Sequence, residues 1–483
     1  MNEEVKQTNL KKMEEHYLPI IIATLLFAVF YTFCLYGNMT GITFPIFVAG
    51  CFIYANYCFK TLHITLKNDG KFYIAAAVLL GVSTFSTDSA PIQVFNFFGF
   101  FLLLCSYMIH QVYDDSKWDF AKYWETICYS GIMMIAYVFY PFIHLSAYLK
   151  TRPQKTDSKA KYVFFGLLIT IPLLLVILAL LTSADVVFKN LFISMFDWIN
   201  VPAVVVRIVL LTIFAFFFSY SMICVAVDKV AKEECTVKTQ FEPVIAITFT
   251  SVLTVVYLVF CMIQISFLFI GGLTLPNGMT YAVYARQGYF QLLFVCIINL
   301  FLVLFCIRRF REHKVLKGIL LIISICTFIM MISSAYRMIL YVSAYHLTFL
   351  RILVMWSLAV LAILLAGIVM SIFKKEFKLF RYCMIVVSIS YLLLSFSHQD
   401  YWIARYNISA EGTEQSDLYY LNDLSADAAS VIMEVYQSEP ERYDMFIDYF
   451  YDIKDEGEEM NFRTFNLSKW LAAKTVEKSG LFH

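Results

Sequence analysis

Arginines and tyrosines gather where apolar runs end between residues 279 and 351. Arg286, Arg337 and Arg351 stand there with Tyr281, Tyr284, Tyr341, Tyr345 and His346. A guanidinium is a planar donor fork that matches a carboxylate or a phosphate in bidentate fashion. Set among apolar chain, such a charge is costly unless it is paired or solvated. Asp185, Lys189, Asp197 and Arg207 fall at comparable ends of earlier runs. Two carboxylates do not neutralise four arginines and a lysine, so the set has a positive surplus. Arg337 and Tyr341, four residues apart, share one face of a helix. The chemistry this permits is recognition of an anion: a lipid headgroup, a phosphate or an acidic glycan. The candidate binding residues are Asp185, Arg207, Tyr281, Tyr284, Arg286, Arg337, Tyr341, Tyr345, His346 and Arg351. The plainer account is basic side chains snorkelling to headgroups, with one or two structural Asp–Arg pairs.

Other chemistry finds less support. His110, Asp114 and Asp115 lie close together, and a His with two carboxylates can hold a divalent cation. The spacing is far from diagnostic and no second His cluster is nearby, so solvated groups at a helix end are the preferred account and no metal is assigned. The chain has no phosphate-cradling loop of the G-x-x-x-x-G-K-[ST] kind, no G-x-S-x-G and no H-E-x-x-H. No catalytic residue and no cofactor follow from the pattern. A net charge of +1 gives no electrostatic argument for nucleic acid. The 12 cysteines sit almost all in apolar blocks and read as small buried hydrophobes. Asn407 and Asn466 open Asn-x-Ser triplets, which mean glycosylation only in a eukaryotic secretory setting.

The elements that carry these residues follow from composition. Of 483 residues 60% are hydrophobic and only 15% charged, against roughly half and a quarter in soluble chains. The apolar residues form long uncharged blocks, which predicts an all-α, polytopic transmembrane helical bundle. About 11 spans are expected, at 18–37, 42–59, 72–88, 93–112, 161–183, 202–226, 244–271, 286–307, 318–341, 348–372 and 379–398. Pro172 predicts a kink in the fifth. The polar stretch 1–17 precedes a first block too long for a cleaved signal.

Lysines and arginines concentrate in the loops 60–71, 150–161, 229–238, 308–317 and 374–381. Placing these in the cytoplasm puts the N-terminus inside. Residues 125–149 are apolar enough to span, yet both flanks are basic. A segment lying in the inner interface, or entering and returning, keeps both flanks inside; the rival is a twelfth span. The divisions are a cytoplasmic segment 1–17, N-terminal spans 18–112, a cytoplasmic or interfacial segment 113–160, a C-terminal bundle 161–398 and an acidic extracytoplasmic tail 399–483. Helical spacing in the tail (Leu424, Ala428, Ile432 and Val435; Met445, Phe446, Tyr449 and Phe450 after Pro440; Trp470 and Leu471 after a cap at Asn466 or Ser468) predicts a small soluble helical domain. It packs on itself or on the outer loops, or lays its apolar stripes on the membrane surface.

Separated blocks then carry a resemblance. Thr182-Ser183-Ala184-Asp185-Val186-Val187-Phe188 is followed by Thr280-Tyr281-Ala282-Val283-Tyr284-Ala285-Arg286-Gln287-Gly288-Tyr289-Phe290. Arg337-Met338-Ile339-Leu340-Tyr341 and Ala344-Tyr345-His346-Leu347-Thr348 come next. Arg405-Tyr406-Asn407-Ile408, Leu424-Ser425-Ala426-Asp427-Ala428 and Phe465-Asn466-Leu467-Ser468 complete the order. Over roughly 160–470 the chain resembles a bacterial family of polytopic membrane proteins catalogued as a domain of unknown function. That family usually has Pro where Val186 stands and an acid where Val283 stands, so a carboxylate partner for Arg286 is missing at that position. The resemblance implies a bacterial cell membrane and brings no activity.

Three functions are open. The first is non-enzymatic: an outer face that binds an anionic envelope component, as a transporter, flippase or accessory factor. The second is a sensor or scaffold whose tail 399–483 meets a protein partner. The third is a membrane-embedded transferase. The lipid bilayer is a partner in all three.

Overall fold

Hydrocarbon offers the backbone no water, so an apolar run of about twenty residues crosses it with every hydrogen bond inside the helix. The computed structural model of the chain describes residues 11–116, 118–150, 170, 174, 177–178, 181–188, 190, 202–229, 241–266, 288–374, 376–410, 419–441 and 443–482. Among them every regular element is a helix, and one isolated bridge joins Phe241 to Phe310. The chain divides into two compact units: 1–39, 43–78 and 100–234 form one, and 40–42, 79–99 and 235–483 the other.

The first unit holds α1 (Tyr17–Leu35), α2 (Thr43–Thr61), the leading half of α3 (Lys71–Ser86) and the trailing half of α4 (Ala90–Val112). It also holds α5 (Phe120–Ala136), α6 (Tyr140–Lys150) and α7 (Ala203–Val227). α7 packs along α1 and against α5. Hydroxyls join the helices where aliphatic packing alone would not tell helix from lipid. Thr24 Oγ1 lies 2.8 Å from Tyr54 OH, and Thr32 Oγ1 lies 2.9 Å from Thr212 Oγ1. Ile22, Leu25, Leu26 and Val29 of α1 are left exposed, as a lipid-facing side requires.

Residues 125–149 form α5 and α6, bent by 63° across Tyr137–Phe139. A broken span and a re-entrant loop share this geometry. The break is pinned to α7: Tyr137 donates to Asp228, and His144 Nδ1 lies 2.8 Å from Tyr220 OH.

The second unit is built on α8 (Pro243–Gln264), α9 (Tyr289–Arg309), α10 (Lys314–Tyr345), α11 (Phe349–Phe373) and α12 (Leu379–Ser395). α10 is the axis, packed on α8, α9 and α11, with α12 on α11. One apolar cluster around Cys296, Met330 and Leu358 fills one end of this group. A second, around Val303, Ile323 and Ile368, fills the other. Gly367 lets the Tyr382 ring of α12 lie where a Cβ would otherwise sit.

Beyond α12 come α13 (Gln399–Ser409), α14 (Ala429–Ser438), α15 (Ile447–Glu458) and α16 (Leu467–Ser479). Their shared core contains Ile403, Ile432, Phe446, Phe450 and Val476, with Leu347, Phe349 and Ile352 packed against it. This segment thus packs both on itself and on the α10–α11 connection. Asn466 caps α16, accepting from the amides of Ser468 (3.0 Å) and Lys469 (3.2 Å). Pro440 lies in a turn and does not open α15, which follows a 3-10 turn at Asp444–Phe446.

Among the described residues seven helices are long and apolar enough to cross a membrane: α1, α4, α7, α8, α9, α10 and α11. The number is up to nine if the bent pairs α5–α6 and α12–α13 each count as one span. The protein is therefore a multi-pass membrane protein. Two expected spans fall short of that standard. The run at 72–88 gives α3, of only 16 residues, and the run at 42–59 gives α2, which carries Asn56, Lys60 and two tyrosines. The run at 161–183, with Pro172, lies almost wholly outside the described residues.

Candidate functional site

Arg337 lies on α10 and is 8% exposed. Its Nη2 donates to Gln264 Oε1 of α8 at 3.2 Å, and Ser333 Oγ donates to the same oxygen at 2.6 Å. The guanidinium also reaches the start of α9. Gly288, the N-cap, takes φ of 110°, and a Cβ there would meet Arg337 Nη1 at 2.8 Å. Only glycine fits both the conformation and the approach. Ser334 Oγ donates to Tyr289 O at 3.2 Å, tying the same two helices.

Tyr341 stands one turn further along α10. Its ring lies in a row with Tyr289 and Tyr345, at centroid distances of 6.0 and 5.0 Å. Arg351 crosses from the first turn of α11 to lie 4.4 Å over the Tyr341 ring. It also donates to the carbonyls of Tyr345 and His346. Those carbonyls belong to the end of α10, where the helix dipole presents partial negative charge. Arg351 therefore closes a helix C-terminus, and His346 turns the chain there at φ of 62°.

Asp185 and Arg207 belong to the first unit. Asp185 Oδ1 accepts from the amides of Val187 and Phe188 at 2.7 and 2.9 Å, a local helix cap. Arg207 is exposed on α7. Tyr281, Tyr284 and Arg286, like Lys189 and Asp197, lie outside the described residues. The structure thus brings together Arg337, Tyr341, Tyr345, His346 and Arg351 at one end of α10. His110 and Asp115 do pair, at 2.7 Å, with Tyr123 donating to Asp115 and Lys67 Nζ 3.5 Å away. No group of three or more metal-ligating side chains occurs among the described residues.

A second cluster in the same unit was not anticipated. Asp427, in the 3-10 turn Ala426–Ala428, has a side chain only 1% exposed. It accepts from Thr87 and Ser468, and His398 Nδ1 lies 3.3 Å from its Oδ1. Asp400 accepts from Ser425 Oγ at 2.6 Å and from the Ser425 amide at 3.3 Å. Asp88 Oδ2 accepts from the Ala426 amide at 3.3 Å, and its Oδ1 lies 3.4 Å from Lys469 Nζ. Lys469 in turn lies 2.9 Å from Glu456. Three carboxylates from the α3–α4 loop, α13 and the 3-10 turn thus meet in one polar layer.

Asn466 completes the layer. Its Nδ2 donates to the carbonyls of Thr40 (3.1 Å), Thr84 (3.5 Å) and Thr87 (3.0 Å). Asn407 performs the same office for the α10–α11 connection: it accepts from the Leu347 amide at 2.7 Å and donates to the Leu347 carbonyl at 2.9 Å. Both asparagines of the Asn-x-Ser triplets are buried in this bonding.

Charge and burial set the titration of the layer. Burial would raise the Asp427 carboxyl, but bonds from His398, Ser468 and Thr87 outweigh it and hold the group below the usual carboxylate range. Asp88 goes the other way: burial pushes it up to about 6, against the pull of Lys469. An acid with a raised folded pKa stabilises fully below its unfolded value, and that contribution is lost as pH rises through the folded value. Asp427 contributes above about pH 4 and loses its contribution below it. The wild-type protein should therefore lose stability relative to Asp88→Asn as pH rises from about 4 to 6, by at most about 3 kcal/mol. Thermal unfolding of both proteins in detergent across that range checks this; parallel curves would contradict the assignment.

The family model described as "Domain of unknown function (DUF4153)" matches residues 74–435, and the chain belongs to that family. The match starts earlier than the blocks quoted above and ends before Phe465–Ser468. Thr87, Asp88, Asp400 and Asp427 lie inside it; Asn466 and Ser468 lie beyond it. No curated protein and no solved structure matches the chain.

Proposed function

We propose that this multi-pass membrane protein binds an anionic envelope component at the end of α10, as a transporter, flippase or accessory factor. The observation that carries this reading is Arg337. A buried guanidinium at the N-terminus of α9 combines a fixed charge with a helix end that favours anions. Arg351 supports the site from behind, by fastening Tyr341 and the α10 terminus. The basic loop 308–317 lies at the opposite end of α9 and α10, which supports an outer position for Arg337.

The test is binding of a short-chain anionic phospholipid and, separately, of inorganic phosphate to the full chain in zwitterionic nanodiscs. Arg337→Gln should weaken binding at least about tenfold, equivalent to about 1.4 kcal/mol. Arg351→Gln should lower thermal stability more than affinity. Unchanged affinity in Arg337→Gln would remove the reading.

A second reading is favoured by one observation: α15 exposes Asp448, Asp452, Asp455, Glu456 and Glu458 on the segment beyond α12. Such a face suits a basic protein partner, with the bundle as anchor. Charge reversal of Asp452, Asp455 and Glu458 that abolishes cellular function while anion binding persists would favour it.

A further inference from the structure

We propose that α13 lies in the membrane interface, its outer face seated among lipid headgroups, and does not continue α12 across the bilayer. The geometry begins on α12, where Ile385, Ile389 and Leu393 are exposed at successive four-residue steps. That is an aliphatic stripe that none of the described residues covers, as lipid chains require. The chain then bends by 56° before α13, with His398 at φ of 45°.

Across the bend the exposed residues change in kind. α13 exposes Trp402 (58%) and Tyr406 (41%), again four apart. Its other side, with Gln399, Asp400, Ile403, Ala404 and Asn407, is buried against the tail core and the polar layer. Large amphipathic rings in place of aliphatic side chains mark the level where hydrocarbon gives way to headgroups. Tyr345 at the end of α10 is exposed as well, and the Asn407–Leu347 clamp holds that chain end to α13. Arg405 and Glu434 pair at 3.1 Å with both side chains largely exposed. An exposed ion pair on α13 needs water nearby and excludes a helix immersed in hydrocarbon. Along the chain the exposed apolar residues run from Leu393 through Phe396 at the bend to Trp402, and this succession points to the headgroup zone of the same bilayer as the occupant. The inference stands independently of the ligand proposed for Arg337.

The experiment uses the full chain in nanodiscs made with lipids brominated near the glycerol or near the chain end. The Trp402 contribution is the difference in emission between wild type and Trp402→Phe. Shallow bromines should quench it at least twofold more than deep ones, with little quenching by aqueous iodide. Trp402 is exposed, so its replacement leaves the fold intact. Adding Tyr406→Trp to that variant should restore emission with the same depth profile. Deep quenching equal to or above shallow would make α13 part of a span. Full quenching by iodide, with none from either bromine, would put it in water. Either result overturns the proposal.

Discussion

Replacing Asp427 with alanine should unfasten the layer that joins the α3–α4 loop, α13 and α16, at a cost of about 3–5 kcal/mol. The side chain is 1% exposed and is the shared acceptor for Thr87, Ser468 and His398. Removing it leaves the buried hydroxyls of Thr87 and Ser468 without their acceptor, and each such loss carries a desolvation penalty of about 1–3 kcal/mol; the half-exposed His398 turns to water instead. Asp427→Asn keeps one acceptor oxygen and should fall between wild type and alanine. Thermal unfolding in detergent gives the order, and protease sensitivity after residue 409 reports whether the tail opens first. Stability of Asp427→Ala within about 0.5 kcal/mol of wild type, the range of a neutral surface change, would show that the layer joins nothing.

That layer was hidden in the sequence for a physical reason. Asp88, Asp400 and Asp427 each stand at a helix end or in a turn, where a solvated carboxylate is the ordinary case. Only the meeting of residues more than 300 positions apart, such as Thr87 with Asp427, takes them out of water. The long helices were legible because an uncharged run of twenty residues has one main solution in lipid. The Asn466 cap was legible too, because a side chain that caps acts on amides two and three residues away.

The arginine cluster was legible in part. The spacing of Arg337 and Tyr341 correctly puts them on one side of α10. It does not reveal that neighbouring elements divide that side, Gln264 and Gly288 taking Arg337 while Arg351 takes Tyr341. Spacing reports which residues share a face; which element covers each part of it is a tertiary fact. The same limit applies to charge. A count of lysines and arginines treats Arg351 as surplus, whereas the partial charge that holds it lies on two backbone carbonyls and is invisible to composition.

Asn466 offers the sharper test of whether the tail is tied down or only packed. Its Oδ1 caps α16, while its Nδ2 donates to three backbone carbonyls, of Thr40, Thr84 and Thr87. Asn466→Asp keeps a good cap and the same shape but turns the donor into a second acceptor. If capping were its whole role, this change would be neutral, and Asn466→Ala would cost about 1 kcal/mol. If the carbonyl ties matter, Asn466→Asp buries a charge facing three oxygens and should cost about 3 kcal/mol or more, exceeding Asn466→Ala. Raising the carboxyl's pKa relieves that penalty, so the aspartate variant should regain stability as pH falls toward 4 while the alanine variant does not. Hydrogen exchange should then rise in two places at once, at the start of α16 and at the carbonyl-bearing end of α3 with Thr87. Exchange confined to α16 would reduce Asn466 to a cap and leave Asp427 as the chief polar tie between the tail and the α3–α4 loop.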